Sequence, residues 1–440
     1  MNNPTSESFM TPRRQVLKTI GLGAAGAAIG QRSAFASPAG LSLPTGTADH
    51  CIMLWLGGGA CQLDTWDPKR KGDAKRRIAG SYYDAIETAV EGVQVCEHLA
   101  RSALILDRMT VIRTVHHDTI NEHAAAVNKM HTGRPTSGAV TYPSIGSIVS
   151  RERGSGAEGV PPYVVVGYPN LTRGPGFLGA SAGYMYITDT DAGPRGLKRP
   201  HDVDAERMAR RQGLLNGLRE HQSAMSRPDI AVANYNAGID ASMELAGGSF
   251  MSVFNLNQEQ PSLRESYGGE FGQRCMLARR LVQSGVRFVE VSHNLNFING
   301  TGWDTHKEGQ LNQHGLIREL DDALASLVLD LEANNLLDRT MVVVGTEFGR
   351  PANFDEGGGR GHHSKSFSIV LAGGGLRHCG AIGQTDELAE KIIDAPVSVP
   401  DLFATILCGL KIDPSKELYA GNRPVPITDG GQPINRLFTT

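Results

Sequence analysis

The stretch from Leu316 to Glu347 leaves this chain few folds to choose from. Leu316, Ile317, Leu320, Leu324, Leu327, Val328 and Leu331 recur at helical spacing, while Arg318, Glu319, Asp321 and Asp330 fall off that stripe. Asn334-Asn335 ends the pattern, and Thr340-Met341-Val342-Val343-Val344 follows as a short continuous apolar run. A strand apolar on both faces is one that a parallel sheet buries between helices. The fold class expected is therefore α/β, with a mostly parallel central sheet flanked by helices. Glu347 comes just past the strand's carboxyl end, where open α/β sheets place their ligands. Asp304 and His306 stand two residues apart in the loop before the helix, and Arg360-Gly361-His362-His363-Ser364 follows the strand. One Asp, one Glu and three His gathered in two loops suit a divalent metal. The mixed oxygen and nitrogen donors favour zinc or manganese, with calcium or magnesium also open.

The first 36 residues read as an address. Arg13-Arg14 precedes an apolar stretch from Ile20 to Ile29, and Ala34-Phe35-Ala36 is a small-residue cleavage signal. This segment is similar to twin-arginine export signals, which carry proteins across already folded. It implies a periplasmic or otherwise exported protein whose mature chain begins at Ser37. The apolar stretch is too short to be a permanent membrane span. Gly21-Leu22-Gly23-Ala24-Ala25-Gly26 matches a dinucleotide fingerprint by letters, but no strand precedes it. Gly357 to Ser366 fails as a phosphate loop, because Ser364 stands where the glycine before the Lys is required.

About 400 residues remain, read as a single domain, 37–440, with a helical insertion at about 200–250. A formal net charge of −3 supplies no field for nucleic acid as a partner. Six Cys show no C-x-x-C spacing; Cys51 and Cys61 are a candidate pair in an oxidising compartment. Further strands are expected at His50–Leu56, Met109–Val115, Pro162–Val166, Val286–Val291 and Ser366–Ala372. The first opens onto Gly57-Gly58-Gly59, with Asp64 and Asp67 in the loop beyond. After the second come His116, His117, His123 and His131, four His within sixteen residues, with Asp118 or Asn121 as helix cap. Asp202 to Glu244 is polar and helix-like, broken at Pro228, and placed to shape substrate access.

The motif order resembles a known family. Leu56-Gly57-Gly58-Gly59 with Gln62 to Lys69 is the first block, and Ala278 to Val282 with Gly285 to Val289 is the second. Trp303 to His306, Gly345 to Arg350, Gly361 to His363, Leu371 to Gly375 and Asp401 to Thr405 complete the set. Together they look like the bacterial domain-of-unknown-function family numbered fifteen-oh-one, exported and often labelled sulfatase-like. That family in turn resembles the alkaline phosphatase and sulfatase superfamily, which binds one or two divalent metals at the carboxyl ends of a mostly parallel sheet.

The resemblance implies roles position by position. Asp64 matches the first metal-binding Asp. Asp304 and His306 match an Asp-and-His pair, here with one residue between them rather than three. Glu347 falls where those enzymes have Asp followed by His or Asn, although here Phe348 follows. His362 or His363 supplies the late His. Arg350 or Arg134 would hold an anionic group bidentately. The nucleophile differs: nine residues before the Thr of Thr132-Gly133-Arg134 stands His123, and no Ser, Thr or Cys lies between Thr119 and Thr132. Either His123 acts in the nucleophile's place, or water attacks with His123 as base, or the site only binds. The function implied is hydrolysis of a phosphate or sulfate ester on an anionic small molecule or glycan. The alternative is a non-catalytic, metal-containing protein that binds sulfated or anionic polysaccharide. Partner proteins are not indicated.

Overall fold

In chain order the strands of the main sheet are β1 (His50–Trp55), β2 (Met109–His116), β3 (Tyr163–Val166), β4 (Met185–Ile187), β5 (Phe288–Ser292), β6 (Thr340–Gly345), β7 (Phe367–Gly373), β8 (Gly380–Ile382) and β9 (Val397–Ser398). They stand in the order β8-β2-β7-β6-β1-β5-β3-β4, with β9 beside β2. Every pairing is parallel except those of β7, which runs antiparallel to β6 and to β2. This computed structural model describes residues 43–438, apart from 121, 191, 195–196, 198–201, 226–228, 246–248, 296–297, 299 and 308. The export signal, the Ser37 start, Asn121 and Pro228 lie outside the described residues.

The longer helices are α1 (His123–Thr132), α2 (Ile145–Arg153), α3 (Ala205–Met225), α4 (Ile230–Leu245), α5 (Glu270–Ser284), α6 (Gly309–Ala333) and α7 (Val399–Gly409). They cover both faces of the sheet. Ile52 and Leu54 of β1 point into one core with α5 and α6. Cys51, Met53 and Trp55, on the alternate face, point into a second core with α1, α2 and α7. That double burial is why β1 and β6 read as almost continuous apolar runs. The stripe that announced α6 is its buried face: Ile317, Leu320, Leu324, Leu327 and Leu331 are all fully buried. Each contributes about 1.5–3 kcal/mol by leaving water. Asn335 stops the helix in the left-handed region at φ 55°.

Two expectations are corrected. Cys51 and Cys61 are free thiols rather than a pair: Cys51 is in the α1/α2/α7 core, whereas Cys61 packs with Leu63, Ala352 and Ala389. The cap of α1 is Glu122, whose carboxylate accepts from the backbone of Ala124 and Ala125, rather than Asp118. α3 and α4 occupy the segment read as a helical insertion. Among the described residues no helix is long and apolar enough to cross a membrane.

Candidate metal centre

Four loops and one helix end meet at the carboxyl ends of β1, β2, β5 and β6. β7 joins them because it runs the other way, so the residues before it, 360–366, emerge at that same end. Glycine makes the close approach workable. Gly58 has φ 119°, and a Cβ there would lie 2.4 Å from the Asp304 backbone nitrogen. The loop after β1 is stitched to that after β6 through Thr346, whose Oγ1 accepts from Ala60 N at 3.0 Å and donates to the Leu56 carbonyl at 3.0 Å.

The donors converge on one carboxylate oxygen. Asp304 Oδ1 lies 3.1 Å from His306 Nε2, 3.4 Å from His123 Nε2 and 3.7 Å from His362 Nε2. His306 Nε2 and His362 Nε2 are 3.1 Å apart, so they cannot both carry protons there. One ligand atom from each of His123, Asp304, His306 and His362 lies within 4.8 Å of every other. Four donors held tetrahedrally at zinc-like bond lengths would be separated by about 3.3–3.5 Å. Three imidazoles and one carboxylate therefore fit a divalent metal in spacing as well as in chemistry, and the nitrogen-rich set leans to transition metals over calcium or magnesium.

The local fields are strong. Burial alone would raise the Asp304 carboxyl, but hydrogen bonds from His123, His362, Arg350 and the Gly300 backbone hold it well below the usual carboxylate range. Burial opposes charge on His123 too, yet its bonds to Asp304 and Glu347 raise it to about 9. Any metal must therefore displace a proton from His123 Nε2. His362 is lowered, mainly by burial, against the pull of Asp304.

Not every residue singled out in the sequence reaches this cluster. Asp64 is fully buried but faces Arg360, with Oδ2 accepting from Nε at 3.1 Å and Oδ1 accepting from Tyr82 N at 2.6 Å. Glu347 stands behind His123, its Oε1 accepting from Nδ1 at 2.7 Å. His363 turns away, its Nε2 at 3.2 Å from both Ser366 Oγ and the Glu390 carbonyl. Paired backbone bonds between Gly349 and His363 explain why, since neighbours in extended chain face opposite sides and His362 is left pointing inward. Arg350 is fully buried, and its donors go to the carbonyls of Gly58, Gly59 and Arg360 and to Asp304 Oδ1, at 2.8 Å for the last. It braces the loops rather than presenting a fork to a ligand. Arg134 pairs with Asp429 at 2.7 Å and with the carbonyls of Pro426 and Thr428.

Sequence reasoning gave no role to Arg360 or His117. His117 Nε2 donates to the Glu347 carbonyl at 2.6 Å, and its Nδ1 accepts from Thr119 N at 3.1 Å. Its place in the dense His run was the available signal.

The chain is similar in fold to several solved structures. The lipoteichoic acid synthase LtaP from Listeria monocytogenes is 10% identical with a TM-score of 0.37, covering 90% of this chain and 77% of that one. The PsFucS1 sulfatase from Pseudoalteromonas sp. is 12% identical, with a TM-score of 0.36 and coverage of 83% and 68%. The alkaline phosphatase from the Antarctic bacterium TAB5 is 12% identical, with a TM-score of 0.36 and coverage of 84% and 100%. No curated protein matches the sequence. A family model covers residues 48–438, nearly the whole described chain, and the protein belongs to that family, described as Protein of unknown function (DUF1501).

Proposed function

We propose that this chain is an exported, metal-dependent hydrolase of phosphate or sulfate esters, acting on an anionic small molecule or a glycan. The observation that carries the reading is the convergence of His123, His306 and His362 on Asp304 Oδ1. Those four residues would hold the ion, with zinc or manganese favoured over calcium or magnesium. A bound divalent metal supplies Lewis acidity toward ester oxygens and acidifies water. Charge supports the assignment. Asp304 and Glu347 balance Arg350 and a protonated His123 in the buried site, and a divalent cation that displaces the His123 proton would bring it to +1, which favours an anionic ester. Export rests on Arg13-Arg14 and the Ala34-Phe35-Ala36 cleavage signal.

One observation favours the non-catalytic reading, a metal-containing binder of sulfated polysaccharide. His123 stands at the nucleophile's position with Nδ1 on Glu347 and Nε2 toward Asp304, and no Ser, Thr or Cys lies between Thr119 and Thr132. A covalent role for His123 Nε2 conflicts with a place in the metal set, so hydrolysis here means direct attack by water.

The test uses the mature protein. Its metal content is measured, and aryl phosphate and aryl sulfate turnover is followed before chelation, after it and after metal is returned. The expectation is metal-dependent turnover that His306→Ala abolishes together with metal binding. Metal without turnover, combined with retention on sulfated polysaccharide, selects the binding reading; protein that takes up no metal refutes both.

A further inference from the structure

Glu347 sits at the end of β6, where a metal ligand is expected from the resemblance, yet its carboxylate is not among the four groups that converge. Its Oε1 accepts from His123 Nδ1 at 2.7 Å and from Gly58 N at 2.8 Å. It is fully buried, and its backbone carbonyl is held by His117 at 2.6 Å. The aromatic rings of Phe348 and His362 flank His123 at centroid distances of 4.9 and 4.6 Å. Glu347 is thus fixed by three neighbours with one acceptor aimed at the far side of an imidazole whose other nitrogen enters the cluster.

We propose that Glu347 is a positioning residue: its carboxylate fixes the Nδ1–H tautomer of His123 and so makes Nε2 a metal ligand. The proposal rests on the metal reading above and goes beyond it in exchanging two roles. The residue at the nucleophile's position binds the metal, and the residue at a ligand's position orients it. The physical reason is the two-sided chemistry of imidazole. A neutral ring has one donor and one acceptor nitrogen, and a carboxylate that accepts from Nδ1–H leaves the Nε2 lone pair for a cation. Such carboxylate–histidine pairs also stop the ring from turning and raise its basicity.

The structure dictates which substitution should rescue. The bonds from His123 and Gly58 both fall on one oxygen, Oε1, while Oε2 meets only the Thr346 hydroxyl, at 3.4 Å. Glu347→Gln keeps that oxygen as a carbonyl acceptor and loses only the charge, while Glu347→Ala loses both bonds. A glutamine cannot replace a carboxylate bound directly to a metal so easily. The experiment titrates metal-free wild-type, Glu347→Ala and Glu347→Gln proteins with Co2+, reading affinity by chelator competition and geometry from the visible d–d bands. Histidine 1H–15N spectra report the Nδ1 proton, and circular dichroism checks that each variant is folded. The expected result is a loss of affinity of about 10–100-fold for Glu347→Ala, with the His123 Nδ1–H signal lost. Glu347→Gln should stay within about threefold of wild type with unchanged bands, against the roughly tenfold or greater effect of losing an outer partner. A folded Glu347→Ala variant with wild-type affinity and bands overturns the proposal. So does a Glu347→Gln variant as weak as Glu347→Ala with shifted bands, which would make Glu347 a ligand. Wild-type protein that takes up no Co2+ overturns the metal reading itself, and this proposal with it.

Discussion

Asp64 and Arg360 allow a sharp separation of ligand from scaffold. Both side chains are fully buried, and they meet through Nε to Oδ2 at 3.1 Å and Nη2 to Oδ1 at 3.3 Å. Removing one member leaves the other charged, buried and without its counter-charge, which costs about 3–5 kcal/mol. Arg360 also donates to the carbonyls of Gly80, Pro351 and Ala352, so Arg360→Met should fall at the upper end and Asp64→Leu at the lower. For a domain of about 400 residues the unfolding entropy is about 0.8 kcal/mol/K, so each single substitution should lower Tm by about 4–6 °C. The double variant removes both charges together, and its loss should be well below the sum of the singles. Thermal unfolding is measured with chelator present, so that metal binding does not contribute, and metal content is measured separately on untreated protein. Unchanged metal content in Asp64→Leu is the expected outcome. A variant that loses its metal while keeping the wild-type Tm in chelator would show that Asp64 is a ligand and that the ion-pair reasoning is wrong.

Gly58→Ala should lower both metal content and stability, the latter by about 1–3 kcal/mol, because its positive φ and the nearby Asp304 nitrogen leave a side chain no strain-free place; a normal variant would refute the close-approach argument. His293 is a pH probe: burial, helped by Arg274, lowers it to about 4, while Glu319 3.4 Å away is too exposed to offset this. Its unfolded value is about 6.5, so between about pH 6.5 and 4 only the unfolded chain carries the proton, and stability falls as pH drops through that window by at most about 3 kcal/mol. Chemical denaturation across that range should show a shallower fall for His293→Asn, and an unchanged slope would remove His293 from the account. Replacing Arg13 and Arg14 by Lys should strand the precursor in the cytoplasm, as fractionation and N-terminal sequencing would show; wild-type protein found inside at full length would refute export.

What was legible in the sequence was what repeats locally. The helix of residues 309–333 and the strands beside it declare themselves because each is buried on faces that recur at fixed spacing. Strand direction has no such signature. Phe367–Gly373 is as apolar as its parallel neighbours, and nothing in its composition says that it runs against them. Yet that reversal brings His362 to the end of the sheet where His123, Asp304 and His306 gather. The choice between His362 and His363 was open for the same reason, since it depends on a backbone pairing with Gly349, fourteen residues earlier. Asp64 was assigned to the metal because it matches the first metal-binding Asp of the enzymes that the motif order resembles. Its real partner is an arginine 296 positions away, in a loop whose glycines and charges read as solvent-exposed.

His123 shows how far a spacing argument reaches. Counting back from Thr132-Gly133-Arg134 identified a residue that does lie in the site, because α1 is rigid and carries its first residue to a fixed place. The count says nothing about what the side chain does on arrival, since an imidazole can attack, accept a proton or bind a metal. That is decided by what faces each ring nitrogen. Glu347 on one side and Asp304 with two more imidazoles on the other leave little room for the first two roles. A serine or cysteine at this position would meet neither partner in the same way, having one reactive atom rather than two. The exchange of nucleophile for histidine is therefore more than the loss of a catalytic group. On the reading proposed above it requires an acceptor at position 347 and a cation in the cluster, and the three should be lost or kept together when any one is changed.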